Sequence, residues 1–288
     1  MEHLWGNQVY AAIIALFAAM MLVGWINSAF LASPSLWIFR RWLRCAFFSL
    51  TIAVFLQYFL PDRSFTVLVC SGALFYFLAE TFLYWAQISA INFAEDVFFA
   101  RYKETENAWS AQKRHILLKE RILKSGFKKA GSFKANLVEG VDIFMTVFDS
   151  DDSLVRMCVA FLPYGSGSIM STSLTSRTSD MRIETDSSPV PFGLAYPKRY
   201  SVENRFFASD PLRLLKIHRR RIADAPLEPV DEQPLRFLNG SLEEIEGENI
   251  RRGFINEARD RAEDGYLTSE GKFLFWKDTV RSNYFPFL

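Results

Sequence analysis

Cysteine is nearly absent from this chain of 288 residues, which holds three, and histidine is equally scarce. Cys45, Cys70 and Cys158 show no regular spacing, which excludes the disulfide framework of a small secreted protein and favours a reducing compartment. No Cys-x-x-Cys pair occurs and the histidines lie far apart in the chain. We therefore expect no zinc site, no other metal and no cofactor.

The chain also lacks an excess of charge of either sign. Its formal net charge is +1, and residues 92–288 hold 29 basic and 29 acidic side chains. A dedicated nucleic-acid binder carries a strongly basic face, so nucleic acid is not an expected partner.

Charge is almost missing from three apolar stretches, residues 9–32, 45–60 and 65–86, which contain no lysine and only one formal charge. A bilayer core needs about 20 apolar residues per helix, so residues 1–91 are predicted to form three transmembrane helices. The first stretch is too long, and lacks the charged leading segment, for a cleaved signal peptide.

Basic residues predict which way these helices face. Arg40, Arg41 and Arg44 precede the second stretch, where we expect them to reach the membrane surface, and only Arg63 lies in the next loop. The segment after the third helix is again basic. The positive-inside rule then places the N-terminus outside and the C-terminal part in the cytoplasm, at the inner membrane if the chain is bacterial.

The single intramembrane charge, Glu80, allows two interpretations. A carboxylate in hydrocarbon is costly, which suggests a proton or ion relay or a hydrogen bond that holds helices together. Alternatively, Glu80 lies within two turns of the cytoplasmic end and reaches the headgroups.

Residues 92–125 are predicted to form a juxtamembrane helix, because residues 92–124 contain neither proline nor glycine and Ser125-Gly126 supplies a stop. Basic side chains cluster in and just after this segment. Such a cluster either attracts anionic lipid or forms a solvated helix face. Its members are Lys113, Arg114, Lys119, Arg121, Lys124, Lys128, Lys129 and Lys134.

Residues 126–288 are predicted to form a cytoplasmic α+β domain. Strand patterns at 141–148, 154–162, 169–177 and 181–186 predict a small antiparallel β-meander with flanking helices. The polar run 171–179 suits an edge strand or an open sheet face. The helices are predicted from Pro211 to about Arg221, from a capping box at 241–244 to near Gly265, and from about residue 268 onward.

Candidate reaction chemistry is sparse. Asp149, Asp151 and Asp152, with Asp142 nearby, supply oxygen ligands for a cation, but they lack EF-hand spacing and acids are ordinary in hairpin turns. His115 and His218 are flanked by basic residues, which predicts solvated helix faces. No residue is assigned a catalytic role.

These features predict a membrane-anchored interaction or regulatory protein that presents its cytoplasmic domain to a protein partner, a lipid surface or a small signal. The alternative is an oligomeric effector that perturbs the membrane, with the domain as its sensor. Anionic headgroups and either a protein partner or a second copy are the expected partners. A surface enzyme dependent on Asp151 and Asp152 is a weaker hypothesis. The aromatic tail 284–288 is expected to dock on its own domain or to be held by a partner.

Overall fold

A computed structural model of the protein describes residues 2–28, 33–90, 99–138, 141–164, 167–188 and 192–285. The chain divides into two compact units. The helical unit comprises Met1–Ala90 and Thr279–Leu288, and the sheet unit comprises Ile91–Asp278. The last residues of the chain thus group with its first ninety, which the linear sequence does not suggest.

Three long helices build the helical unit: α1 (Glu2–Ile26), α2 (Pro34–Phe59) and α3 (Phe65–Ala90). Each contains a segment long and apolar enough to cross a membrane, which confirms the expectation of three long apolar helices. The second helix begins earlier than its apolar stretch, with proline in its first turn, where no intrahelical donor is needed.

The early start of α2 corrects the placement of the three arginines. Arg40, Arg41 and Arg44 lie inside this helix and inside the candidate span Ser35–Phe59, not in a loop before it. Pairing with α3 allows charge within an otherwise apolar helix, as described below. Packing between α2 and α3 is close at Gly72, where an added Cβ would stand 2.8 Å from the Ser49 carbonyl oxygen.

The sheet unit is built on seven strands in sequential order, β1 to β7. Neighbours pair antiparallel except β6 and β7, which are parallel. The antiparallel run β3 to β6 confirms the four predicted strands, and the sequence patterns missed the other three. The strands are β1 (Lys103–Glu104), β2 (Phe127–Val138), β3 (Val141–Ser150), β4 (Arg156–Tyr164), β5 (Gly167–Arg177), β6 (Arg182–Asp186) and β7 (Tyr200–Asn204).

The polar strand β5 is neither an edge strand nor an open face, so that prediction is wrong. It lies between β4 and β6, and Thr172, Thr175 and Ser176 are buried. For Ser176 a hydrogen bond compensates the burial, since its hydroxyl donates to the Leu154 carbonyl at 2.7 Å, whereas the Thr172 hydroxyl has no partner among the described residues. β-branched residues fit both edge strands and central strands. The polarity of this run was therefore a poor guide to the position of β5 in the sheet.

Four further helices and a single turn, Arg261–Asp264, belong to the described residues. The predicted helix start at Pro211 is confirmed, since the Asp210 carboxylate accepts the Leu212 backbone N–H at 2.8 Å. The start of the last helix near residue 268 is confirmed as well. The helices are α4 (Lys113–Lys124), α5 (Pro211–Arg221), α6 (Pro234–Arg251) and α7 (Ser269–Tyr284).

Two helix predictions are wrong. The long helix over 92–125 is limited to α4, because residues 101–112 contain β1 and no helix; its segment 91–98 lies outside the described residues. Trp109, within this predicted helix, packs on the sheet core instead. The capping box at 241–244 starts no helix: Ser241 lies inside α6, and its hydroxyl donates back to the Phe237 carbonyl.

Helices cover both faces of the sheet, so the unit has three layers. Residues alternate between the faces along each strand. On one face, α4 and α5 supply Ile122 and Leu214 to a core with Phe148 and Met157. On the opposite face, α6 supplies Phe237 to a second core.

Candidate functional site

An ion cluster joins α2 and α3 within the helical unit. Glu80 is 8 % exposed and forms an ion pair with Arg44. The Arg41 Nε lies 3.8 Å from the same carboxylate oxygen, and the Tyr84 hydroxyl donates to it at 3.0 Å. Arg44 also donates through Nε to the Tyr76 hydroxyl at 2.6 Å. One oxygen of the Glu80 carboxylate is therefore turned toward α2 and is bonded to Arg44.

Tyr284, the last residue of α7, packs beside this cluster. Its side chain is 1 % exposed, and its ring makes edge contacts with Trp42 and Phe77 at centroid distances of 5.9 and 5.0 Å. The Arg41 guanidinium lies 5.6 Å from the ring centroids of both Tyr84 and Tyr284, a double cation–π contact. Tyr284 is thus part of the helical unit, while tail residues 286–288 lie outside the described residues.

Two buried oxygens of this region lack hydrogen-bond partners within the described part of the chain: the Glu80 Oε2 and the Tyr284 hydroxyl. A buried unpaired polar atom costs about 1–3 kcal/mol. The cluster is therefore not a saturated network. The sequence alone marked Glu80 and the arginines but gave no reason to place Tyr284 with them.

Arg40 has a different environment from its neighbours. Its guanidinium lies against α1 at Gly24, where an added Cβ would stand 2.8 Å from the guanidinium carbon. The residue is exposed, and among the described residues no carboxylate lies within ion-pair distance of it.

The predicted basic cluster divides between two elements of the sheet unit. Five of its members lie on α4 and three on β2, and all are exposed except Lys119, which is partly buried near Trp109. Among the described residues, Arg121 pairs with Asp210 at 3.2 Å and Lys128 with Asp151 at 2.9 Å.

The outer face of α4 is also apolar. Ile116, Leu117 and Leu123 are 46, 51 and 42 % exposed, whereas His115, Leu118 and Ile122 are buried against the sheet. A single exposed aliphatic side chain is common at a protein surface, but three on one helix of 12 residues, interleaved with cations, form an amphipathic outer surface. We call Lys113–Lys124 with these outward side chains the α4 face.

A closed ion pair lies between the sheet and α6. Arg156 is 2 % exposed and donates to both Asp149 oxygens, at 2.7 and 2.9 Å. The Phe237 ring lies between the guanidinium groups of Arg156 and Arg182, at 4.8 and 4.2 Å from its centroid. Asp149 and Arg156 are cross-strand neighbours in the hairpin of β3 and β4, whereas Phe237 and Arg182 come from distant segments. The sequence patterns did not identify the pair or the ring that covers it.

His218 is fully buried on the opposite face, which corrects its predicted placement on a solvated face; His115 is buried as well. Because the Ser176 hydroxyl is donated to Leu154, the His218 Nε2–H donates to Ser176, at 3.1 Å, and Nδ1 accepts from the Thr185 hydroxyl at 2.8 Å. Burial and then the nearby Arg221 lower the pKa of His218 to about 4. The His218 ring is therefore neutral near pH 7, and its two hydrogen bonds give it a structural role.

The acidic turn does not gather its carboxylates. Asp149 binds Arg156 and Asp151 binds Lys128, while Asp152 accepts from Ser150 and Asp142 from Asn136. In the described ranges, no group of three His, Cys, Asp or Glu side chains is arranged to hold a metal ion.

Comparison with known proteins gives no relative. No protein-family model matches the chain, and no curated protein or solved structure matches it either.

Proposed function

We propose that the chain is a membrane-anchored binding protein. Three helices span the bilayer with the N-terminus outside and carry a cytoplasmic α+β domain whose α4 face docks on anionic lipid. The helix lengths and composition support the anchor, and the positive-inside rule supports the orientation, since the arginines of α2 and the basic residues of α4 both follow odd crossings.

The observation that carries this proposal is the composition of the α4 face. Exposed leucine and isoleucine side chains gain by insertion between headgroups, and lysine and arginine on the same helix attract an anionic surface. Each cation close to the surface contributes roughly 1 kcal/mol. A protein partner with an acidic, apolar groove is the competing occupant; lipid is favoured because a cytoplasmic leaflet is anionic and the anchor holds the domain beside it.

The test uses the full-length protein in nanodiscs. An environment-sensitive fluorophore is attached at Leu117→Cys, with Cys45→Ser and Cys70→Ser to remove the accessible thiols; Cys158 is buried. The emission should shift to the blue in phosphatidylcholine containing phosphatidylglycerol, compared with phosphatidylcholine alone. High salt should reverse part of the shift.

Two paired variants determine whether α4 itself is responsible. Lys113→Gln with Lys124→Gln should abolish most of the lipid-dependent shift, whereas Arg213→Gln with Lys216→Gln, two exposed cations of α5, should leave it intact. Docking through α4 would be refuted if the emission spectrum were the same with and without phosphatidylglycerol. It would also be refuted if both double variants lost the lipid-dependent shift to the same extent.

A further inference from the structure

His115 is a buried base on the inner side of α4. It is 5 % exposed, and its ring centroid lies 5.0 Å from that of Phe161 on β4. Its Nδ1 has no hydrogen-bond partner within the described residues. A protonated imidazole carries a hydrogen on both ring nitrogens, so protonation would place a charged N–H donor at this position without an acceptor.

The charged groups around His115 favour its neutral form. The elements that pack here contribute cations: Arg114 and Lys119 of α4, and Lys129 and Lys134 of β2. The neighbouring acids are Glu106 and Glu120, which are exposed, Glu104, which lies opposite Phe133 on the other sheet face, and Asp210, which pairs with Arg121. Burial and then the Arg114 cation lower the pKa of His115. A proton on this ring is therefore costly while α4 stays on the sheet, and costs less once the ring reaches water.

The sheet surface under Trp109 is incompletely hydrogen-bonded. The Trp109 ring makes edge contacts with Phe148 and Phe161, at centroid distances of 5.6 and 5.2 Å, and the register places Thr146 between the rows of these two rings. The hydroxyls of Thr146 and of its cross-strand neighbour Ser132 are buried without partners within the described residues. Buried unpaired groups weaken local packing, so this is a place where the unit should open before its central strands do.

Opening here would expose apolar side chains that α4 covers. Leu118 and Ile122 lie between α4 and the sheet. Trp109 is tied to α4, because its indole N–H donates to the His115 carbonyl at 2.9 Å. A detached α4 would therefore offer a lipid surface these inner side chains in addition to the outer ones of the α4 face.

We propose that protonation of His115 releases α4 from the sheet and so regulates the docking of α4 on anionic lipid. The lipid part rests on the proposed function, whereas the release does not. Because the packed ring resists the proton, release is favoured as the pH falls below about 6.5, the ordinary value for imidazole. An anionic leaflet attracts protons as it attracts other cations, so the surface that binds α4 also favours its release.

The experiment is hydrogen–deuterium exchange of the full-length protein in uncharged detergent at pH 7.5 and pH 5.5, with rates corrected for the intrinsic effect of pH. Amides of α4 should exchange up to about tenfold faster at pH 5.5, because the opened helix takes up one proton. Amides of α6, which contains no histidine, are the internal reference and should keep their corrected rates.

Three variants separate titration from weakened packing. His115→Gln should abolish the pH response of α4, whereas His218→Gln, at the buried histidine of α5, is the matched control and should keep it. Trp109→Phe removes the indole N–H but no titrating group, so α4 should exchange faster at both pH values with the ratio between them unchanged. This variant keeps the test decisive if His115→Gln loosens the helix outright.

Three results would each overturn the release: equal α4 exchange at both pH values in wild type, a pH response that persists in His115→Gln, or an equal rise in α6. The regulatory link is read from the fluorophore at Leu117→Cys in nanodiscs containing phosphatidylglycerol. The blue shift should be larger at pH 5.5 than at pH 7.5, and independent of pH in His115→Gln. A shift independent of pH in the parent protein would overturn the link. An absent shift together with intact pH-dependent exchange would refute lipid docking alone, so the two failures are distinguishable.

Discussion

The two units of this molecule bury arginine in opposite ways. In the sheet unit, Arg156 meets one carboxylate, Asp149, in a two-bond pair that is neutral and covered by Phe237. In the helical unit, two arginines share one oxygen of Glu80 while its other oxygen has no partner in the described part of the chain. The difference is one of charge: the sheet pair is balanced, although the Arg156 Nη1 also lacks a partner within the described residues, whereas the helical cluster sets two cations against one carboxylate.

This difference has a physical cause. Desolvating two charges costs several kcal/mol per ion, and only good geometry with every remaining donor satisfied offsets it. The sheet unit meets that requirement for the Arg156 Nε and Nη2 donors, since Nη2 also approaches the Val230 carbonyl at 3.4 Å, but Nη1 has no partner within the described residues. The helical unit instead keeps Arg44 partly exposed, which lowers the cost of its excess charge.

The largest effect should come from breaking the closed pair. Asp149→Ala leaves Arg156 charged and buried without a counter-ion, which should destabilise the sheet unit by about 3–5 kcal/mol. Thermal unfolding of the full-length protein in detergent measures this, read by a thiol-reactive dye on Cys158 with Cys45→Ser and Cys70→Ser. Asp151→Ala, which removes an exposed pair with Lys128, should change little. An equal decrease in unfolding temperature in the two variants would contradict the assigned role of Asp149.

A smaller effect is expected from Glu80→Gln in the helical unit. The substitution leaves two cations unneutralised, but Arg44 is exposed enough to turn outward, so we expect a loss of about 1–2 kcal/mol. The fraction of full-length protein that stays monodisperse on gel filtration after heating measures it, with Asp62→Asn in an exposed loop as the control. A loss as large as that of Asp149→Ala would mean that the helical cluster is as closed as the sheet pair.

The effect that develops most gradually is the change in stability with pH, to which the neutral His218 contributes. The unfolded chain binds a proton below about pH 6.5, while the folded ring does so only below about 4. Stability should therefore fall as pH drops through this window, by up to about 1.4 kcal/mol per pH unit. Arg221, which donates to the Thr185 hydroxyl at 3.3 Å, is the charged group near this site.

Asp186 opposes this trend, because burial and then Glu184 raise its pKa to about 7, so that its folded form favours the proton at low pH. The measurement is therefore the difference in unfolding free energy between wild type and His218→Gln, in which the Asp186 contribution cancels. That difference should narrow from pH 7 to pH 4. A constant difference would show that His218 does not titrate as its surroundings imply.

Local signals predicted much of the fold. The apolar stretches marked three helices, the Asp210-Pro211 pair marked the start of α5, and alternating patterns marked β3 to β6. These signals act within a few residues, through capping hydrogen bonds and side-chain periodicity. The predicted helix over 92–125 was wrong because the absence of Pro and Gly permits a helix without requiring one. The buried positions of β5 were missed because its polarity resembles that of an edge strand.

The candidate sites divide in the same way. Sequence alone identified the arginines of α2, the single carboxylate of α3 and the basic residues from Lys113 to Lys134. Charged residues are easy to recognise where the surrounding segment is apolar or where one sign of charge is in excess. It could not say which arginine is enclosed and which is open, nor that Ile116 and Leu117 face outward on α4.

By itself, then, the sequence determined the two kinds of segment, the number of apolar helices and most of the central strands. Only the tertiary structure decided the partners. It brought Phe237 of α6 onto Arg156 and enclosed Arg41 between Tyr84 and the distant Tyr284. It left Arg40 against Gly24, with no carboxylate of the described residues within ion-pair distance. The physical reason is that periodicity and capping act between residues close together in the chain. Contacts between separate helices and strands depend on which surfaces meet once the chain has folded.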